Sequence, residues 1–259
     1  VNTEPARTPA STGSPGDWLR RLSTGPVRGT TLLCLPFAGG TAHYFSPLAT
    51  RLAQVDCPVD VVAAQYPGRL DRYRETPFTD LKTLADELHR HWGGGPLVIF
   101  GHSMGAALGF ELTLRLQESA PDSVLGLIAS GRRAPGLVRT QRASDLSETA
   151  FVDYVVSLGG SDERLRTDAD LRELVLPALR ADYRAIEDYR VEPDARVGVP
   201  TFVYGGRADP QTSPEELAEW QRYTDRPIRT RWFEGGHFFL ADSAAEVTDA
   251  LVEDLKSVL

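Results

Sequence analysis

Three observations in the sequence predict an α/β fold with a mostly parallel central sheet flanked by helices. Short apolar runs alternate with amphipathic stretches from about residue 30 onward. The fully apolar run Leu97–Phe100, of the kind found at the centre of a parallel sheet, leads directly into a serine flanked by glycines. The alternation lapses only between about Arg132 and Arg190, where no strand is evident and charged helical patterns take over.

The elements follow in order. Thr30–Leu35 reads as a buried strand from its apolar and β-branched residues, Phe45–Val55 as a helix, and Val59–Ala64 as the next strand. Phe78, Leu81, Leu84, Ala85, Leu88 and Trp92 recur at helical spacing, which predicts a helix over Thr79–Trp92 with one buried face. Gly93-Gly94-Gly95-Pro96 ends it. After the strand Leu97–Phe100, the segment Ala106–Gln117 is apolar on most sides, as in a helix packed between the sheet and other elements. Val124–Ser130 is another strand. The 132–190 stretch is too long for a loop and carries the helical segments ETAFVDYVVSLGG and DLRELVLPALRADYRAIEDYR. A helical lid inserted late in the sheet is the economical reading. Strand Val199–Tyr204, a helix around Pro214–Tyr223, strand Ile228–Phe233 and a helix from about Ser243 complete the pattern. In that last helix Val247, Leu251, Leu255 and Val258 mark the buried face. The expected division is a core of 18–131 and 191–259, a lid of 132–190, and a disordered Pro-, Ser-, Thr- and Gly-rich tail over 1–17.

Composition narrows the function classes. The 259 residues carry a formal net charge of −8, which argues against a nucleic-acid partner, since phosphate binding needs a basic face. No run of 18 apolar residues occurs, so no membrane partner is expected. The N-terminal segment lacks the apolar core of a signal peptide, and a cytoplasmic location is expected. Of the two cysteines, Cys34 lies inside the apolar run TLLCLPF and reads as a small hydrophobe, and no disulfide with Cys57 is expected.

The chemistry is carried by Gly101-His102-Ser103-Met104-Gly105. G-x-S-x-G between an apolar strand and an Ala-rich helix is the nucleophile elbow of the α/β-hydrolase fold. Its glycines accommodate a turn too sharp for side chains beside the serine. A serine hydroxyl needs a base at neutral pH. Of the five histidines, His89 and His91 lie on an amphipathic helix, and His102 points elsewhere on a sharp turn. His43, after a Gly-rich loop, is a pocket candidate. His237, in Glu234-Gly235-Gly236-His237-Phe238, follows the last strand where this fold delivers its base. The orienting acid should follow a strand between serine and histidine. Asp209, in Gly205-Gly206-Arg207-Ala208-Asp209 after VPTFVY, fits best, with Asp182, Asp188 and Asp194 as rivals. A tetrahedral intermediate needs two N–H donors. The backbone N–H of Met104 supplies one, and that of Ala38, in the loop Leu35-Pro36-Phe37-Ala38-Gly39-Gly40, is assigned as the other. Phe37, together with Phe151, Val155 and Leu158 of the expected lid, are further pocket candidates.

The motifs LPFAGG, QYPGR, GHSMGA, GGRADP and EGGHFF together resemble the type II thioesterases. The resemblance runs from about Leu32 to the C-terminus and includes Pro67-Gly68-Arg69-Leu70-Asp71-Arg72 and Glu75-Thr76-Pro77. Tyr66 stands where a leucine is common in that family. The resemblance implies hydrolysis of unproductive acyl groups held as thioesters on the phosphopantetheine arm of acyl or peptidyl carrier proteins in polyketide and nonribosomal peptide synthesis. It implies an acyl-enzyme on Ser103, deacylated by water, with no metal or redox cofactor. A monomer is expected. The carrier-protein substrate rests on the resemblance alone. Chain-releasing or fatty-acyl thioesterases are the alternative. An oxygen-ester esterase is disfavoured because the chain lacks an HGGG-type loop, and a non-catalytic module of the same fold is disfavoured by the complete Ser, Asp and His set.

Overall fold

The computed structural model of the chain describes residues 18–55 and 57–259, so the expected tail over 1–17 lies outside the described residues. Seven strands form one sheet: β1 (Leu19–Arg21), β2 (Thr30–Leu35), β3 (Val59–Ala64), β4 (Leu97–His102), β5 (Val124–Ser130), β6 (Thr201–Gly206) and β7 (Arg229–Phe233). Their order is β1-β3-β2-β4-β5-β6-β7. Every pairing is parallel except β1 against β3. β1 is absent from the sequence expectation because LRR has no apolar run to mark it. Arg21 holds it to the neighbouring β3 through the buried carboxylate of Asp60 at 2.7 Å.

Helices α1 (Ser46–Gln54), α2 (Leu81–His91), α3 (Met104–Ser119), α4 (Glu148–Ser157), α5 (Ala169–Asp188), α6 (Pro214–Ala218), α7 (Phe239–Asp242) and α8 (Ala244–Lys256) complete the regular structure. The period-two alternation of the strands sorts the core into two layers. Leu33, Leu35, Ile99, Leu127 and Val203 face α2 and α3, whereas Leu32, Cys34, Phe100, Ile128 and Tyr204 face α1 and α8. On α2 the residues Leu81, Leu84, Ala85 and Leu88 are buried, as their spacing requires. Each such leucine contributes about 1.5–3 kcal/mol of transfer free energy. The Asp80 side chain caps the helix by accepting from the Thr83 N–H.

Several boundaries move. β6 begins at Thr201 rather than Val199, since Pro200 has no N–H to give the ladder, and continues through Gly205 and Gly206. β4 extends to His102, and α3 starts at Met104, two residues before Ala106, which leaves Ser103 alone between strand and helix. The Pro214–Tyr223 segment divides into α6, whose Ser213 and Glu216 form a capping box, and a 3₁₀ turn over Glu219–Tyr223. The short α7 precedes the C-terminal helix.

Between β5 and β6 the chain leaves the sheet and forms α4 and α5. These helices have a small core of their own, containing Phe151, Val152, Val155, Val156, Leu165, Leu176 and Leu179. Both begin on side-chain caps, Ser147 and Asp168. The unit is joined to the sheet layer at chosen points: Tyr189 donates its hydroxyl to Glu111 at 2.8 Å, and Asp182 pairs with Arg69.

Candidate active site

The C-terminal ends of the parallel strands lie along one edge of the sheet, and the loops leaving them converge there. Ser103 occupies the turn between β4 and α3 with φ 55° and ψ −115°, a left-handed conformation that a serine adopts at a cost of about 1–3 kcal/mol. The two motif glycines have a steric reason. A Cβ on Gly101 would lie 2.0 Å from the Gly105 carbonyl oxygen, and a Cβ on Gly105 would lie 2.0 Å from that of Leu35. Backbone touches backbone at both places, so neither neighbour can yield.

β6 and β7 are adjacent in the sheet, which brings the loops after them together. The Ala208 N–H donates to the Gly235 carbonyl at 3.0 Å, locking one loop to the other. His237 thereby meets both partners. Its Nε2 is 3.0 Å from the Ser103 hydroxyl, and its Nδ1 is 2.9 Å from Asp209 Oδ2. With Nδ1–H donating to the carboxylate, Nε2 is left as the acceptor for the serine proton. Asp209 is itself held by the Gln211 N–H at 2.8 Å and the Thr212 hydroxyl at 3.1 Å. It does not cap the following helix, a task that Ser213 performs. His237 and Asp209 are both buried.

The rival acids are occupied or remote. Asp188 pairs with Arg142 on the surface, and Asp194 is exposed. Asp182, on α5, accepts two hydrogen bonds from Arg69, at 2.7 and 3.0 Å, and a third from the Gly39 N–H at 2.7 Å. Arg69 also donates to the Gly40 and Pro67 carbonyls. The Pro-Gly-Arg element thus binds the inserted helix to the loop that carries Ala38. Gly39, at φ 77°, turns that loop, and the Ala38 N–H meets no protein acceptor among the described residues. Met104 is the first residue of α3, whose opening N–H groups the helix leaves unpaired. Two free donors therefore flank Ser103 from different segments.

A cleft of about 20 Å³ opens at Ser103, lined by Phe37, Ala38, Val155, Leu158, Ser161, Leu179, Tyr183, His237 and Phe238. Of the pocket candidates, Phe37, Val155 and Leu158 line this cleft. Phe151 and His43 do not. Phe151 is fully buried inside the core of the insertion, edge-on to Tyr183 at 5.2 Å and under the Arg180 guanidinium at 4.4 Å. The helical spacing that groups Phe151 with Val155 and Leu158 holds, but one turn further back the same face meets α5 instead of the cleft. His43 is exposed and borders a separate cavity of about 470 Å³ with Tyr44, Leu48, Leu240 and Val247. Tyr183, Leu179 and Phe238 were not singled out in the sequence. The first two are spaced i, i+4 on α5, and Phe238 adjoins the histidine, so each left a local trace.

His102 bonds the Ser130 hydroxyl at 3.0 Å rather than Ser103, and its ring lies 5.2 Å from that of His237. Burial, and then the nearby His237, hold its pKa well below the ordinary 6.5, so it is a neutral spacer behind the base. Cys34 and Cys57 are both free and buried. Burial pushes the Cys34 thiol far above its ordinary range, which removes it as a nucleophile.

A thioesterase domain model matches residues 30–258. The chain is 38% identical to the thioesterase PikA5 of Streptomyces venezuelae over 93% of this chain and 86% of that one. It is 40% identical to a probable cadicidin biosynthesis thioesterase of Streptomyces griseus, over 92% of this chain and 66% of that one. The solved structure of the type II thioesterase BorB from the borrelidin biosynthetic cluster superposes with a TM-score of 0.83 at 38% identity, covering 94% of this chain and 99% of that one.

Proposed function

The chain belongs to the thioesterase family, as a type II thioesterase of polyketide and nonribosomal peptide pathways, and from that premise we propose that it removes acyl groups from carrier proteins through Ser103, His237 and Asp209. The observation that carries this reading is the position of His237, 3.0 Å from Ser103 and 2.9 Å from Asp209. His237 Nε2 takes the hydroxyl proton as Ser103 Oγ attacks the thioester carbonyl. The Ala38 and Met104 N–H groups receive the oxyanion. Collapse of the tetrahedral intermediate expels the thiolate, which takes the proton from His237. Water, deprotonated by the same nitrogen, then attacks the acyl-enzyme, releasing the carboxylic acid and restoring the Ser103 hydroxyl. Asp209 keeps the ring in the required tautomer and balances the imidazolium formed in each half-reaction.

The 132–190 insertion acts as the lid in this scheme. The cleft of about 20 Å³ at Ser103 has room for about one water molecule, and an adjoining hollow of about 170 Å³ shares Phe37, Ala38, Ser161 and Leu179 with it. An acyl chain reaches Ser103 along that hollow as the α4–α5 unit shifts from Phe37 and Phe238. A carrier protein is far too large for this opening, which leaves the thin pantetheine arm to deliver the thioester.

Mass spectrometry of short- and long-acyl carrier proteins incubated with the protein tests the reading. The expected result is deacylation favouring short groups, reduced on the order of 10⁴–10⁶-fold by Ser103→Ala with an unchanged circular dichroism spectrum. Retained activity in that variant, or turnover confined to oxygen esters, would overturn it.

A further inference from the structure

Across Tyr183 from the Ser103 cleft lies a second cavity, of about 280 Å³, whose wall includes Arg132, Arg133, Arg139 and Arg190. Four guanidinium groups around one hollow are unexpected in a chain of net charge −8. Their partners decide what they mean. The side chain of Arg132 makes no hydrogen bond or ion pair with any protein group among the described residues. Arg133 is only 8% exposed; its Nε donates to the Leu137 carbonyl at 2.8 Å, and its terminal nitrogens meet no acceptor among those residues. The one carboxylate lining the cavity among the described residues, Glu187, is already engaged by the Ala143 and Ser144 N–H groups and the Ser144 hydroxyl. Arg139 reaches Gln211 and, at 3.8 Å, Glu216; Arg190 donates to the carbonyls of Glu187 and Tyr189. Burial, with Arg133 and Arg139 close by, pulls Arg132 down to about 9, so it stays charged at neutral pH.

Arg132 is half-buried and Arg133 buried, and a charge shielded from water without a counter-ion is costly, a cost that a charged partner with planar acceptor geometry relieves. Guanidinium groups suit carboxylate and phosphate because two parallel N–H bonds match two oxygens. Tyr183 lines both the cavity and the cleft, so the two hollows adjoin at that side chain. We propose that Arg132 and Arg133 form an anion subsite that binds an oxyanion carried by the acyl-pantetheine substrate, either the phosphate of the arm or a carboxylate on the acyl group. The subsite rests on the thioesterase reading for the identity of its ligand and not for its existence.

Calorimetric titration of the Ser103→Ala protein with three thioesters separates the possibilities without turnover. Propionyl-pantetheine carries no anion, propionyl-phosphopantetheine carries one on the arm, and succinyl-pantetheine carries one on the acyl group. The expected result is that one anionic thioester binds about tenfold or more tightly than the neutral one. Which one does so identifies the source. Arg132→Gln and Arg133→Gln should each erase most of that preference, and Arg132→Lys and Arg133→Lys should keep part of it, which also serves should a glutamine variant fail to fold. Equal binding of the three thioesters, or a preference that survives both glutamine variants, would overturn the subsite. Turnover of the same thioesters by the unsubstituted protein tests the hydrolase reading separately.

Discussion

Replacing Asp182 with leucine perturbs the link between α5 and the loop that carries Ala38. The side chains of Arg69 and Asp182 are 7% and 3% exposed, so solvent screens their attraction little. Removing the carboxylate strands a buried guanidinium, for which about 3–5 kcal/mol is the usual loss. The Gly39 N–H loses its acceptor as well, a further contribution of about 1–3 kcal/mol that overlaps the first. In a chain of this size the loss lowers Tm on the order of 10 °C. The double variant Arg69→Met with Asp182→Leu removes both charges, leaving mainly the Gly39 penalty, and should be more stable than either single variant. Catalysis responds through position. Gly39 adjoins Ala38, and displacing one oxyanion donor costs up to about 10²–10³ in kcat. Urea unfolding of the four proteins gives the coupling, and steady-state hydrolysis of an acyl-pantetheine gives kcat and KM. A coupling below about 0.5 kcal/mol would refute the energetic argument. An unchanged kcat in folded Asp182→Leu would refute the positional one.

Asp209→Asn should lower kcat about 10⁴-fold with little change in Tm, because the amide favours the wrong imidazole tautomer; wild-type kinetics would send the search for the acid elsewhere. His102 stays neutral in the folded state whereas the unfolded chain protonates it below about 6.5. The unfolded state therefore binds more protons, and stability should fall as pH drops below that value, by up to about 1.4 kcal/mol per pH unit from this group. Denaturation midpoints at pH 5 to 7 should show that slope shrinking in His102→Phe; an identical slope in the variant would count against it. Gly105→Ala would press a Cβ to within 2.0 Å of the Leu35 carbonyl oxygen, and loss of soluble folded protein is expected, checked by its circular dichroism and yield.

Most of the sheet and the loops that bear Ser103, Asp209 and His237 were legible because their signals are local. Leu97–Phe100 before GHSMG, VPTFVY before Asp209 and the last strand before His237 each mark a strand followed by a functional loop. Parallel topology then requires those loops to share one edge. β1 left no such mark: its place depends on Arg21 reaching Asp60, 39 residues away. The spacing of Phe151, Val155 and Leu158 specified a common helical face but not what that face meets, so Phe151 fell inside the insertion and the other two at the cleft. Asp182 read in sequence as a possible partner for the histidine, and only packing set it on Arg69, 113 residues distant. That neither Arg132 nor Arg133 pairs with a carboxylate among the described residues has no trace in the sequence at all. Periodicity and turn chemistry record what a segment needs from its immediate neighbours, and that by itself determined most of the elements, their order and the loops that carry Ser103, Asp209 and His237. Which charge meets which, and which charge meets none, was decided by the tertiary structure, because pairing across the chain depends on how helices such as α5 settle over the sheet.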